Sequence, residues 1–171
     1  LVSHCDDWPR LLAEMCRLSR QAVLIDYPCQ SGLNALTPWL FSLKKSLEET
    51  LVKQFGSPAD AKKKYVRHLD SNMAYLDADL PELAGTRFPE AQSLVRDALL
   101  KDDAIYCAFT RAELTAGGND TELFVRTRLS FNQRRSGDVL FCMKPYYIAG
   151  ATTATHGSPW NYDTHVPLLW L

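Results

Sequence analysis

Four histidines and five cysteines are the side chains of this sequence best suited to metal or nucleophilic chemistry. His156 has the most telling setting. It follows the threonine-rich stretch Ala151-Thr-Thr-Ala-Thr155 and directly precedes Gly157-Ser158-Pro159. A loop of this kind holds a histidine in place while its imidazole stays free to bind a metal through a neutral nitrogen. The glycine lets the backbone turn close to the ion. On spacing alone, a loop histidine hydrogen-bonded to its surroundings is the better fit. Tyr162-Asp163-Thr164-His165-Val166-Pro167 comes next, then an apolar run to Leu171. Asp163 is a candidate for fixing that loop or for supporting a metal ligand from outside. His165 opens a segment that reads as a buried strand, which favours a structural role. His4 lies in His4-Cys5-Asp6-Asp7, but adjacent side chains rarely converge on one centre, so a polar loop is expected there. His68 lies among basic residues and is expected to be exposed.

Other chemistries find less support. No GxSxG nucleophile elbow and no GxxxxGK[ST] phosphate loop occur. Gly117-Gly118 is only a loop. Cys5, Cys16, Cys29, Cys107 and Cys142 are odd in number, widely spaced and without a CxxC pair. They read as scattered, mostly buried free thiols rather than a disulfide framework or a zinc knuckle. Lys62-Lys63-Lys64 reads as a solvated face. A net charge of -1 offers no electrostatic case for nucleic acid or an anionic membrane. No apolar run approaches the roughly 20 residues that span a bilayer. No signal peptide is visible at the start, and compartment and oligomeric state are left open.

The elements that must position these side chains follow from periodicity. Leu43, Leu47, Leu51 and Phe55 recur every four residues and predict a helix over 41–55, stopped by Gly56. Asn72 to Asp77 reads as a short strand entering a turn. Arg87 to Leu100 reads as a helix with Phe88, Ala91, Leu94, Val95 and Ala98 on one side. Ala104 to Phe109 is the next strand, and Thr110-Arg-Ala-Glu113 has the form of a capping box. Residues 121–130 read as helical. Val139 to Met143 and Val166 to Leu169 are apolar runs expected to be strands of one sheet, with His156 on the connection between them. Near the start, residues 6–18 read as a helix and residues 21–27 as a buried strand.

Several of these phrases together carry a resemblance. They are Tyr65-Val-Arg-His-Leu-Asp-Ser-Asn-Met-Ala-Tyr75-Leu76-Asp77, Arg134-Arg-Ser-Gly-Asp138-Val139-Leu140, Lys144-Pro145, and His156-Gly-Ser158 with Tyr162-Asp163 and Val166-Pro167. From about residue 42 to the end the chain resembles the alkaline phosphatase superfamily, in its type I phosphodiesterase/nucleotide pyrophosphatase branch. The resemblance implies an α/β fold with a partial, mixed sheet flanked by helices: the C-terminal part of an alkaline-phosphatase-like domain. It implies hydrolysis of phosphate monoesters or diesters at two zinc ions, with His156 as the last metal ligand. It also implies a Ser or Thr nucleophile and Asp/His pairs that this chain does not contain. The isolated chain is therefore expected to be inactive, with no catalytic residue of its own to name and zinc not held by this chain alone.

Residues 1–40 are similar instead to the later part of a class I S-adenosylmethionine-dependent methyltransferase. Val2 to Arg17 and Ala22 to Asp26 carry that similarity. The glycine-rich loop and ribose-binding acid of that family would lie upstream, so no S-adenosylmethionine binding is expected. The chain is thus read as two segments, 1–40 and 41–171. A methyltransferase fragment and a non-catalytic truncated or fusion protein are the alternatives to the hydrolase.

Overall fold

The computed structural model describes residues 17, 38–70, 72–147 and 157–164. The chain divides into two compact units, Leu1–Gly32 and Leu33–Leu171. Apart from Arg17, everything below concerns the second. The helix and strand expected within residues 6–27 and the strand expected at 166–169 lie outside the described residues.

Among the described residues, four strands form one sheet: β1 (Val66–Leu69), β2 (Met73–Leu76), β3 (Ile105–Thr110) and β4 (Val139–Met143), in the order β1-β2-β4-β3. The helices are α1 (Pro38–Phe55), α2 (Arg87–Leu99), α3 (Arg111–Ala116), α4 (Glu122–Ser130) and the single turn α5 (Asn161–Thr164). A 3-10 turn at Pro81–Leu83 precedes α2. The α/β class and the partial sheet flanked by helices stand as expected. A mixed sheet was anticipated, and every pairing among the described strands is antiparallel. β1 and β2 are joined by a tight connection, and short connections of this kind produce antiparallel neighbours.

Alternation along β4 assigns the two faces of the sheet. Val139 and Phe141 point to a cluster with Leu47 and Leu51 of α1 and Val95 and Leu99 of α2. Leu140 points the other way, to Leu114 of α3 and Phe124 of α4. The leucine repeat of α1 buries Leu43, Leu47 and Leu51, as the four-residue spacing requires. That helix ends on Gly56, whose φ of 84° is the left-handed conformation glycine adopts without a Cβ penalty.

β1 was not legible as a strand. Its burial runs buried, exposed, exposed, buried, with a register shift between Val66 and His68, so no period of two is visible. It is an edge strand, and α1 satisfies its backbone. The Glu48 carboxylate accepts the amides of Tyr65 at 2.9 Å and Val66 at 2.8 Å. Lys44 Nζ donates to the Arg67 carbonyl at 3.1 Å. Covering the unpaired groups of an edge in this way also removes a template for aggregation.

The Arg134-Arg-Ser-Gly-Asp138 phrase locks the sheet together. Asp138 is buried, and its carboxylate accepts the Leu76 amide at 2.8 Å and Arg111 Nε at 3.1 Å. Arg111 also donates to the carbonyls of Ser136 at 2.7 Å and of Gln133. A Cβ on Gly137 would lie 2.7 Å from the Ala74 carbonyl oxygen, so only glycine fits where the loop crosses β2. Of the two arginines in the phrase itself, both are exposed. The capping box is present: Thr110 Oγ1 accepts the Glu113 amide and Glu113 accepts the Thr110 amide.

Candidate functional site

The Gly157–Thr164 segment lies across the carboxyl end of β4 and the side of α4. Hydrogen bonds and ring contacts fasten it. Arg126 Nη1 of α4 donates to the Pro159 carbonyl at 2.8 Å. Trp160 Nε1 donates to the Met143 carbonyl at 2.9 Å, and its ring meets Tyr106 edge to face at 5.1 Å. The Tyr146 amide donates to the Tyr162 hydroxyl at 3.0 Å, and the two rings stack at 4.9 Å. Within the segment, the Ser158 amide donates to Asp163 Oδ2 at 2.6 Å. Asp163 thus fixes the loop, one of the two roles its position suggested.

Backbone conformation is unusual on both sides of this seam. Gly157 has φ 88°, as a glycine needed for a sharp turn should. Tyr146 has φ 63°, which is uncommon for a residue with a bulky side chain. It stands third in the turn Lys144-Pro145-Tyr146-Tyr147, closed by the Tyr147 amide on the Lys144 carbonyl at 3.1 Å. Proline second and positive φ third is the type II pattern, where glycine or asparagine is usual. Such a conformation costs about 1–3 kcal/mol and persists where surrounding contacts over-determine it. The Tyr162 stack and hydroxyl are those contacts.

Between the segment, α4 and β4 is a cavity of about 440 Å³, within the range of small-molecule sites. Met73, Leu140, Cys142, Trp160 and Tyr162 supply apolar wall, and Arg126 and Lys144 supply positive charge. The Ser158 hydroxyl is buried and has no hydrogen-bond partner among the described residues.

His156 lies outside the described residues, next to Gly157, and His165 and His4 lie outside them as well. His68 is exposed on β1, with its ring against Tyr75 at 5.7 Å. Lys62, Lys63 and Lys64 are exposed, as a solvated face should be. Among the described residues, no group of three or more His, Cys, Asp or Glu side chains is placed to hold a metal ion. The Asp163 carboxylate is already engaged, so the described residues do not fit a zinc centre by themselves. Arg126, Trp160 and Tyr146 were missed as site residues. Pro145 in a Lys-Pro-Tyr-Tyr turn was the available signal. The contacts of Arg126 and Trp160 depend on packing that no local pattern encodes.

No protein-family model matches the chain. It is 31% identical over 148 residues to alkaline phosphatase PhoK of a Sphingomonas species, covering 80% of this chain and 24% of the relative. It is 31% identical over 106 residues to alkaline phosphatase PhoD of Zymomonas mobilis, covering 56% of this chain and 18% of the relative. The chain thus spans at most about a quarter of the length of these curated relatives. The crystal structure of wild-type alkaline phosphatase PafA shares the fold at a TM-score of 0.57 and 20% identity, over 72% of this chain and 23% of that one. These similarities relate the chain to the alkaline phosphatase superfamily, over a part of its relatives' length.

Proposed function

We propose that this chain is a C-terminal piece of a zinc-dependent phosphoester hydrolase, of the type I phosphodiesterase/nucleotide pyrophosphatase branch. His156 is the metal ligand it contributes, and phosphate monoesters or diesters are the substrate class of the complete domain. The observation that carries this reading is the pair of alkaline phosphatase relatives, matched over most of the chain in one case. The fastened loop that begins at Gly157 supports it, since a ligand needs a rigid base. The aromatic cavity offers room for the organic group of an ester, with Arg126 and Lys144 as partners for its anionic part.

Zinc sites use three or four protein ligands, and one histidine does not supply them. The isolated chain is therefore expected to bind zinc weakly through His156 and to show no turnover of an aryl phosphate above background. The test is a zinc titration followed on the histidine resonances of the full chain, beside a His156→Ala variant. A shift of the His156 imidazole only at large molar excess of zinc, lost in the variant, is the expected result. Zinc that leaves His156 unmoved removes the ligand assignment. A zinc-dependent rate abolished by His156→Ala overturns the inactivity.

A further inference from the structure

Cys107 and Cys142 are distant in sequence, and the fold sets them opposite each other. They are register partners across antiparallel β3 and β4. Directly opposed residues in such a pair project to the same side, with Cα atoms about 4.5–5.5 Å apart. A disulfide spans Cα separations of about 4.4–6.8 Å. Both thiols are free; Cys142 is buried and Cys107 half-buried. Cys142 forms part of the cavity wall. The sulfurs also interact. The hydrogen bond from Cys107 holds the Cys142 thiol below its ordinary value, with the Thr127 hydroxyl at 3.7 Å helping. The same bond, and then burial, push the Cys107 thiol up. The thiolate is the attacking form, so Cys142 is the first to react.

We propose that Cys107 and Cys142 form an oxidisable cross-strand dithiol, a modification site that closes to an intramolecular disulfide by exchange with small alkyl disulfides. In the first step the Cys142 thiolate attacks one sulfur of the reagent. The reagent's S–S bond breaks, and one reagent thiolate leaves and takes up the proton that Cys142 released. In the second step Cys107 gives up its proton and its sulfur attacks Cys142 in the mixed disulfide. The second reagent thiolate leaves and is protonated. In sum, two protein thiols lose two electrons, and one reagent disulfide is reduced to two thiols. The new bond ties β3 to β4 and closes the loop that carries α3 and α4.

The experiment exposes the full chain to hydroxyethyl disulfide under native conditions. Remaining thiols are then alkylated, and the digested peptides are weighed. The expected product joins the Cys107 and Cys142 peptides with loss of two hydrogens, in excess over any link involving Cys5, Cys16 or Cys29. In urea that preference is lost, because chain separation alone then governs pairing. In Cys107→Ser the exchange stops halfway, and Cys142 carries one reagent group as a stable mixed disulfide. The proposal is overturned if Cys107 and Cys142 stay fully alkylatable in the native chain, or if other links dominate. It is equally overturned if urea leaves the preference unchanged, or if Cys142 is unmodified in Cys107→Ser.

Discussion

On the α1/α2 face of the sheet, one continuous cluster runs from Leu43 to Phe141, and Leu47, Leu51, Val66, Val95 and Val139 expose nothing. On the opposite face, among the described residues, the buried cluster is Leu114, Phe124 and Leu140, with Met73, Phe109 and Phe131 packed around it. Beside it lie the cavity, the strained Tyr146 turn and exposed apolar side chains, Leu129 at 82% and Tyr146 at 84%. The first face is built as a self-sufficient core. The second keeps apolar and aromatic surface open around the Gly157–Thr164 segment among the described residues. The relatives are several times longer than this chain. The contrast teaches that the closed core and the candidate site fall on opposite sides of a single sheet, so each can be perturbed separately.

The largest effect is expected from Phe141→Ala, which empties a site 2% exposed between β4 and α2. Truncations of this kind cost about 3–5 kcal/mol. Leu129→Ser on the opposite side removes an exposed side chain and should change stability by no more than about 0.5 kcal/mol. Urea denaturation of the two variants measures both. Comparable losses would mean that the open face is held as firmly as the core, and the comparison would fail.

The second effect concerns the clamp that joins the two faces. Asp138→Ala leaves the Leu76 amide and Arg111 without their shared acceptor. Stranding the buried Leu76 amide costs about 1–3 kcal/mol, while Arg111 keeps its carbonyl acceptors. Arg134→Ala, at an exposed position of the same phrase, should be near neutral. Equal and small effects in urea denaturation would show that the Arg-Arg-Ser-Gly-Asp phrase is kept for something other than holding the sheet.

Legibility in the sequence divided along the same line. α1, α2, the Thr110 capping box and β4 were readable because each is written in local spacing. The leucine repeat, the apolar stripe and the Thr-x-x-Glu pair need no knowledge of partners. β1 was not readable, since its bulge hides the alternation and its backbone bonds come from Glu48, far along the chain. The Arg111 clamp and the Cys107–Cys142 pair were invisible because strand register, which no spacing encodes, creates both. At the candidate site, the turn at Gly157 and the loop-fixing role of Asp163 were legible. The anchoring by Arg126, Trp160 and Tyr146 was not, because it depends on tertiary packing.

A third effect is read in pH. Tyr65 is wholly buried in the core, and its hydroxyl donates to the Gly56 carbonyl at 2.9 Å. Burial pushes its pKa up, and the charges of Glu82 and Glu48 add to this against the opposing Arg87. A folded-state pKa above the unfolded value means that the native chain holds this proton more tightly. The corresponding stability is complete below the unfolded value of about 10 and is lost as pH rises through the folded one. Tyr65→Phe should cost about 1 kcal/mol at neutral pH and flatten the alkaline decline. An unchanged decline in the variant would assign it to other groups.

Among the variants that remove a hydrogen bond, the smallest effect on the whole molecule is expected at the loop itself. Asp163→Ala removes the acceptor of the Ser158 amide but leaves Arg126 on Pro159 and Trp160 on Met143. Urea denaturation should therefore shift by less than about 1 kcal/mol. Local order should suffer more, because the turn after Gly157 is left without its internal tie. Amide exchange at Ser158 should accelerate on the order of tenfold while amides of β4 keep their protection. That pattern would show the loop to be an attachment on a core that stands without it. A loss of global stability equal to that of Asp138→Ala would instead make the loop part of the core, and the two faces would no longer be separable.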